Sequence, residues 1–143
     1  MDKSKLSGAI LICGMCLGCG ASDGKIKVYP VSGKVLVKGQ PAAGARVVFY
    51  PTVDEIDGKK LPTPGGEADE SGEYRLESYT SKDGAPAGDY KVGITWLAPP
   101  PPNATGIFDQ KDRLAGRFSN PQSSKLTAHI EKGGGEVPPF ELQ

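Results

Sequence analysis

Few residues of this chain are equipped for chemistry, and they fall into small groups. Cys13, Cys16 and Cys19 stand at three-residue intervals, His129 is the sole histidine, and Asp54, Glu55 and Asp57 cluster before Gly58. A Cys-x-x-Cys-x-x-Cys run offers thiolates to a metal, but a closed site needs further Cys or His ligands, and one distant histidine does not supply them. Ser-His-Asp hydrolysis needs an imidazole beside a nucleophile and a carboxylate. His129 lies between Ala128 and Ile130 on the polar side of an alternating segment, with Thr127 and Glu131 on the same side. No nucleophile elbow accompanies it, so an exposed strand histidine is the favoured reading. The acidic group Asp54, Glu55 and Asp57 offers hard oxygen ligands to calcium, yet its spacing is not that of an EF-hand loop and Lys59 and Lys60 follow at once. A solvated loop is favoured there too. Asp69-Glu-Ser-Gly72 is explained by a hairpin turn. Tyr50, Tyr79 and Thr95 are placed outward and form a candidate sugar-stacking surface. No GxGxxG, GxxxxGKS or HExxH motif occurs. No catalytic residue, cofactor or structural metal is expected.

The composition narrows the partners. Seventeen basic residues balance seventeen acidic ones, so no general field attracts nucleic acid or an anionic membrane. Twenty glycines and thirteen prolines in 143 residues argue against a helical bundle or coiled coil. Leu, Ile, Val and Phe number 30, just above the roughly 20% level below which disorder is the default, so the core must be small.

Lys3 and Lys5 precede an uncharged run from Gly8 to Leu17 that holds two of the cysteines. At about ten residues the run is too short to span a bilayer, which takes about 20, and it reads as the apolar part of an export leader. The third cysteine closes that leader, leaving none in the body to form a disulfide. Leu17-Gly-Cys19 resembles a bacterial lipoprotein signal, in which a Cys after a small residue is lipidated and becomes the first residue of the mature chain. Cys16 and Leu17 depart from that pattern, and Cys16 itself follows the bulky Met15, which favours Cys19 as the acceptor. The resemblance implies a signal peptide over 1–18, a lipidated Cys19 and a tether over 19–30. Gly20 after the cysteine is similar to the pattern sorted to the outer membrane in bacteria that have one.

From Lys25 onward the apolar period is two, not 3.6, and the body is expected to be all-β. Val31, Gly33, Val35 and Val37 share one face, as do Val47 and Phe49, Tyr74 and Leu76, and Tyr90, Val92, Ile94 and Trp96. Leu126, Ala128 and Ile130 point inward in the last long strand, and Phe140 and Leu142 close the core. Pro51 ends its strand or marks an edge. Residues 52–67 are expected to form a long surface loop. Pro99 to Pro102 should stiffen a connection as polyproline II, and Asp109 to Ala115 are expected to make one helical turn with Leu114 and Phe118 on one side. About seven short strands suggest a single β-sandwich over 31–143.

Gly33-Lys-Val35, Gly39-Gln-Pro41, Gly44 to Phe49, Ala68 to Leu76 and Gly88 to Ile94 follow one another as in the carboxypeptidase regulatory-like domain. The stretch from Leu114 through Lys125-Leu-Thr127 to Leu142 is similar to the version in small bacterial lipoproteins. The resemblance implies a transthyretin-like, Greek-key β-sandwich with a binding or scaffolding role and no chemistry of its own. Transthyretin-like enzymes that hydrolyse 5-hydroxyisourate rely on several histidines and a characteristic C-terminal tetrapeptide; this chain has one histidine and ends Phe140-Glu-Leu-Gln143. The expected partners are a membrane, through the lipid, and an envelope protein or polysaccharide. An extracellular carbohydrate- or protein-binding module and a small transthyretin-like hydrolase are the alternatives.

Overall fold

Alternation along the chain becomes two facing sheets in the computed structural model, which describes residues 24–143. In β1 (Val31–Val37) Val31, Gly33 and Val35 are buried while Ser32 and Lys34 are half exposed. This strand is the spine of the first sheet. One of its edges carries β7 (Glu73–Arg75) and β2 (Gln40–Pro41), both antiparallel. The other carries β10 (Gly135–Glu136) and β11 (Phe140–Leu142), both parallel. The second sheet runs in the order β6 (Gly65–Glu67), β3 (Arg46–Pro51), β8 (Gly88–Thr95), β9 (Leu126–Ile130), antiparallel throughout. Seven of these strands have three or more residues, and the protein is an all-β sandwich with no helix among the described residues.

The segment read as a surface loop, 52–67, is more ordered than its composition suggests. Glu55–Ile56 (β4) and Lys59–Lys60 (β5) pair as a small hairpin, and β6 adds the outer strand to β3. Gly65 and Gly66 have no side chains to alternate, so periodicity is blind to them. Their bareness is what the site requires: a Cβ on Gly66 would lie 2.5 Å from the carbonyl oxygen of Arg75. The close approach lets Gly65 exchange backbone hydrogen bonds with Glu77, two residues beyond β7. Likewise the helical turn expected at Asp109–Ala115 is replaced by consecutive turns. Asp112 bridges to Leu97, and its carboxylate accepts the N–H groups of Trp96, Leu114 and Gly116 at 2.9–3.0 Å. Leu114 is buried and Phe118 packs on the core, as the spacing predicts. Within the tether assigned to 19–30, the residues before β1 are docked. Tyr29 forms a bridge with Ala85, and the Ile26 N–H donates to the Tyr79 hydroxyl.

Between the sheets lie Val35, Val47, Phe49, Tyr74, Leu76, Tyr90, Val92, Ile94 and Leu142, all with at most 2% exposure. Phe49 stands at the centre, with its ring 6.2 Å from Tyr74, 5.7 Å from Tyr90 and 6.3 Å from Phe140. Burial pushes both phenols up, Tyr90 to about 12. The Tyr90 hydroxyl donates to the Pro86 carbonyl at 2.8 Å, whereas the buried Tyr74 hydroxyl has no partner. That hydroxyl sits over Gly33, where any Cβ would fall 2.3 Å from it.

Two stability predictions follow from the register. Ile94→Asp places an unpaired carboxylate in the core and should cost about 3 kcal/mol or more. Thr95→Asp, on the outer face opposite Arg46, should cost less than about 1 kcal/mol. Chemical denaturation measures both, and a larger loss for Thr95→Asp would contradict the register. Tyr74→Phe removes an unsatisfied hydroxyl and should leave stability unchanged or raise it by about 1 kcal/mol. A loss of more than about 1 kcal/mol on thermal unfolding would show that the hydroxyl has a partner in solution.

Candidate functional site

The outward face of β8 and β9 holds the one histidine. Asp89 and His129 are direct cross-strand partners in the antiparallel ladder, so their side chains emerge side by side. His129 Nδ1 lies 2.6 Å from Asp89 Oδ1, and Nε2 lies 3.4 Å from Glu131 Oε1, two residues further along the same face. The hydrogen bond to Asp89 holds the imidazole above its usual pKa, with Glu131 adding to the effect. The group is open to water: the His129 side chain is 55% exposed and the two carboxylates more so. Such an arrangement favours the protonated imidazole and fixes its orientation on the surface. Neither ring nitrogen is left without a carboxylate to face.

Beside this trio an open groove of about 630 Å³ runs between β9 and the segment that leads into β11. Its polar wall is Asp89, Lys91, Thr127 and His129; its apolar wall is Pro138, Pro139 and Phe140. Lys91 is steadied by Gln122, whose Oε1 accepts from Nζ at 2.7 Å. The groove was hidden in the sequence because its walls come from segments that only the sheet topology brings together. Asp89 as the partner of His129 was equally hidden. Both occupy outward positions of alternating strands, but the pairing needs the register.

The other candidate residues are dispersed. Tyr50 and Thr95 share the outer face of the β3–β8 pair, yet Tyr50 stands opposite Lys91 and Thr95 opposite Arg46. Four residues of β8, about 13 Å, separate them. Tyr79 lies in the loop before β8, where its ring is under Lys25 Nζ and its hydroxyl accepts from Ile26. The three do not form one stacking surface. Asp57 and Gly58, with φ of 51° and 71°, form the two-residue turn between β4 and β5. Asp57 thus has a conformational role in the hairpin, and Glu55 stands opposite Lys60. Asp69 Oδ1 accepts from the Ser71 hydroxyl and from the N–H groups of Ser71 and Glu73. The Ser71 hydroxyl contributes most to lowering its pKa. Asp83 gathers the N–H groups of Ser78, Tyr79 and Thr80. Desolvation raises its pKa, but the backbone bonds outweigh that and hold the carboxyl below its usual range. Among the described residues no group of three or more His, Cys, Asp or Glu side chains converges as a metal ion would require. Cys13, Cys16 and Cys19 lie outside the described residues.

The β-sandwich is the class of structure that these sheets define, and comparison with known proteins adds little to it. No family model and no curated protein matches the chain. Among solved structures, a 9R-lipoxygenase from Cyanothece PCC8801 aligns over 97% of this chain and 18% of its own, at 10% identity and a TM-score of 0.43. The chain thus spans less than a fifth of that enzyme. The major plantain pollen allergen Pla l 1 aligns over 79% of this chain and 90% of its own, at 18% identity and a TM-score of 0.37.

The Asp89–His129 pair gives a signed pH prediction. Because the folded pKa is raised, its stabilising contribution is complete below the unfolded value of about 6.5 and is lost as pH rises through the folded value. An NMR titration of His129 should show a midpoint above 6.5, and Asp89→Asn should bring it down. A midpoint at or below 6.5 in the unsubstituted protein would show that the pair does not form in solution.

Proposed function

We propose that this chain is an exported lipoprotein of the cell envelope, anchored through lipid on Cys19 and carrying one non-catalytic sandwich of the carboxypeptidase regulatory-like kind. The observation that carries this reading is Gly18-Cys19 at the end of a short apolar run behind Lys3 and Lys5. The sandwich binds or scaffolds. Its groove, with charged and hydroxyl groups on one wall and proline and phenylalanine on the other, suits an extended polar partner, either a protein segment or an envelope polysaccharide. No role with nucleic acid is proposed, since the charges balance.

A non-catalytic role is supported by the state of His129. A general base needs a free nitrogen within reach of the proton it takes. Here Asp89 holds Nδ1, the Glu131 carboxylate faces Nε2, and water reaches the ring freely. The hydrolase alternative would need this trio to rearrange around a substrate.

The anchor is tested by Cys19→Ser expressed in a bacterium with a lipoprotein pathway. The substituted chain should leave the membrane fraction or remain unprocessed, and metabolic labelling with a fatty acid should be lost. Unchanged labelling and membrane partitioning would refute lipidation at Cys19.

A further inference from the structure

The last strand of the four-stranded sheet, β9, presents an edge whose backbone directions can be worked out residue by residue. Asp89 O accepts from Thr52 N–H, on the β3 side, whereas Val92 O accepts from Ser124 Oγ and Ile94 N–H donates to Phe118 O, on the β9 side. Alternation along β8 therefore turns Gly88, Tyr90 and Val92 toward β9 and pairs them with Ile130, Ala128 and Leu126. The intervening residues of β9, Thr127 and His129, turn their N–H and C=O groups the other way, where no backbone partner meets them among the described residues. Both residues are exposed.

Exposed edges are usually defended by charge of one sign, by proline or by a bulge. This edge carries opposite charges at its two ends. Lys125 stands immediately before β9 and Glu131 immediately after it, symmetrically about Ala128. Laid antiparallel on itself and centred on Ala128, the strand sets Leu126 against Ile130 and Thr127 against His129, each twice. Lys125, whose φ of 59° turns the chain into β9, lies at the end of the ladder, where its flexible stem brings the ammonium within reach of the other copy's Glu131. Parallel pairing in the same register would oppose Lys125 to Lys125 and Glu131 to Glu131. In the antiparallel arrangement the outward backbone groups of Thr127 meet those of His129, giving four hydrogen bonds across a two-fold axis.

We propose that β9 pairs with β9 of a second copy of this chain, antiparallel and centred on Ala128, joining two four-stranded sheets into one of eight. The hydrogen bonds supply attraction and the Lys125–Glu131 pairs supply register and direction. The contact is narrow, so the dimer forms reversibly and depends on concentration.

Sedimentation equilibrium of the full chain, reduced and in density-matched detergent, tests this. The unsubstituted chain should show a reversible monomer–dimer equilibrium. Thr127→Pro deletes an outward N–H without touching the ladder to β8 and should weaken association by at least about tenfold with an unchanged circular dichroism spectrum. Lys125→Glu and Glu131→Lys should each weaken it by about tenfold, since each turns two attractions into repulsions, and the double variant should restore it. If Thr127→Pro does not fold, the single and double charge variants decide alone. A monomer at every concentration, association equal in all variants, or a monomer that accepts only a foreign extended peptide along β9 would each overturn the proposal.

Discussion

Four aromatic rings meet between the sheets, and the rest of the fold is arranged so that they can. Phe49 and Tyr90 come from adjacent strands of the four-stranded sheet; Tyr74 and Phe140 come from opposite edges of the other. Tyr74 and Phe140 stack at 6.4 Å, and Phe49 presents an inclined or edge-on ring to both. Aromatic pairs at such distances and angles contribute about 0.5–1.5 kcal/mol beyond their buried area. In a chain with few aliphatic residues, rings supply the bulk that the smaller side chains leave missing. The same need explains Gly33, whose bare backbone makes room for Tyr74.

Strands that carry large side chains were legible from alternation. Val31 to Val35, Val47 to Phe49, Tyr90 to Ile94 and Ala128 to Ile130 bury the face their spacing indicates, Val37 and Leu126 are half-buried at their strand ends, and Phe140 and Leu142 do close the core. What stayed hidden has no side-chain rhythm. β6 is built on Gly65 and Gly66, and its place depends on how closely two backbones can approach. Asp112 looks like one more loop carboxylate, yet it organises three N–H groups and thereby takes the place of the expected helical turn. Alternation places Trp96 at the inward end of its strand. It is half-buried because its indole N–H donates to the Ala43 carbonyl at 2.8 Å while the Arg113 guanidinium lies 3.6 Å from the ring.

The candidate site was half legible. His129 and Glu131 lie on the polar side of their strand, as alternation requires. Asp89 could be joined to them only by the pairing of β8 with β9, a relation forty residues long in sequence. A histidine on a sheet surface is ordinarily an isolated titrating group. Here cross-strand placement fixes its orientation between two carboxylates that favour its charged form, beside a groove whose other wall belongs to the opposite sheet.

The final residues of the chain run parallel to the first strand, Phe140 to Leu142 lying against Val35 to Val37. Lys38 N–H donates to the Leu142 carbonyl, and the Arg117 guanidinium reaches the carbonyl of Gln143. β1 therefore depends on β11, about a hundred residues further along, to cover this edge and to give Phe49 one of its neighbouring rings. Such long-range closure is slow. The sandwich therefore closes only when residues 140–142 are in place, and a fragment ending before Phe140 would leave the Val35–Val37 edge of β1 bare and Phe49 short of one ring.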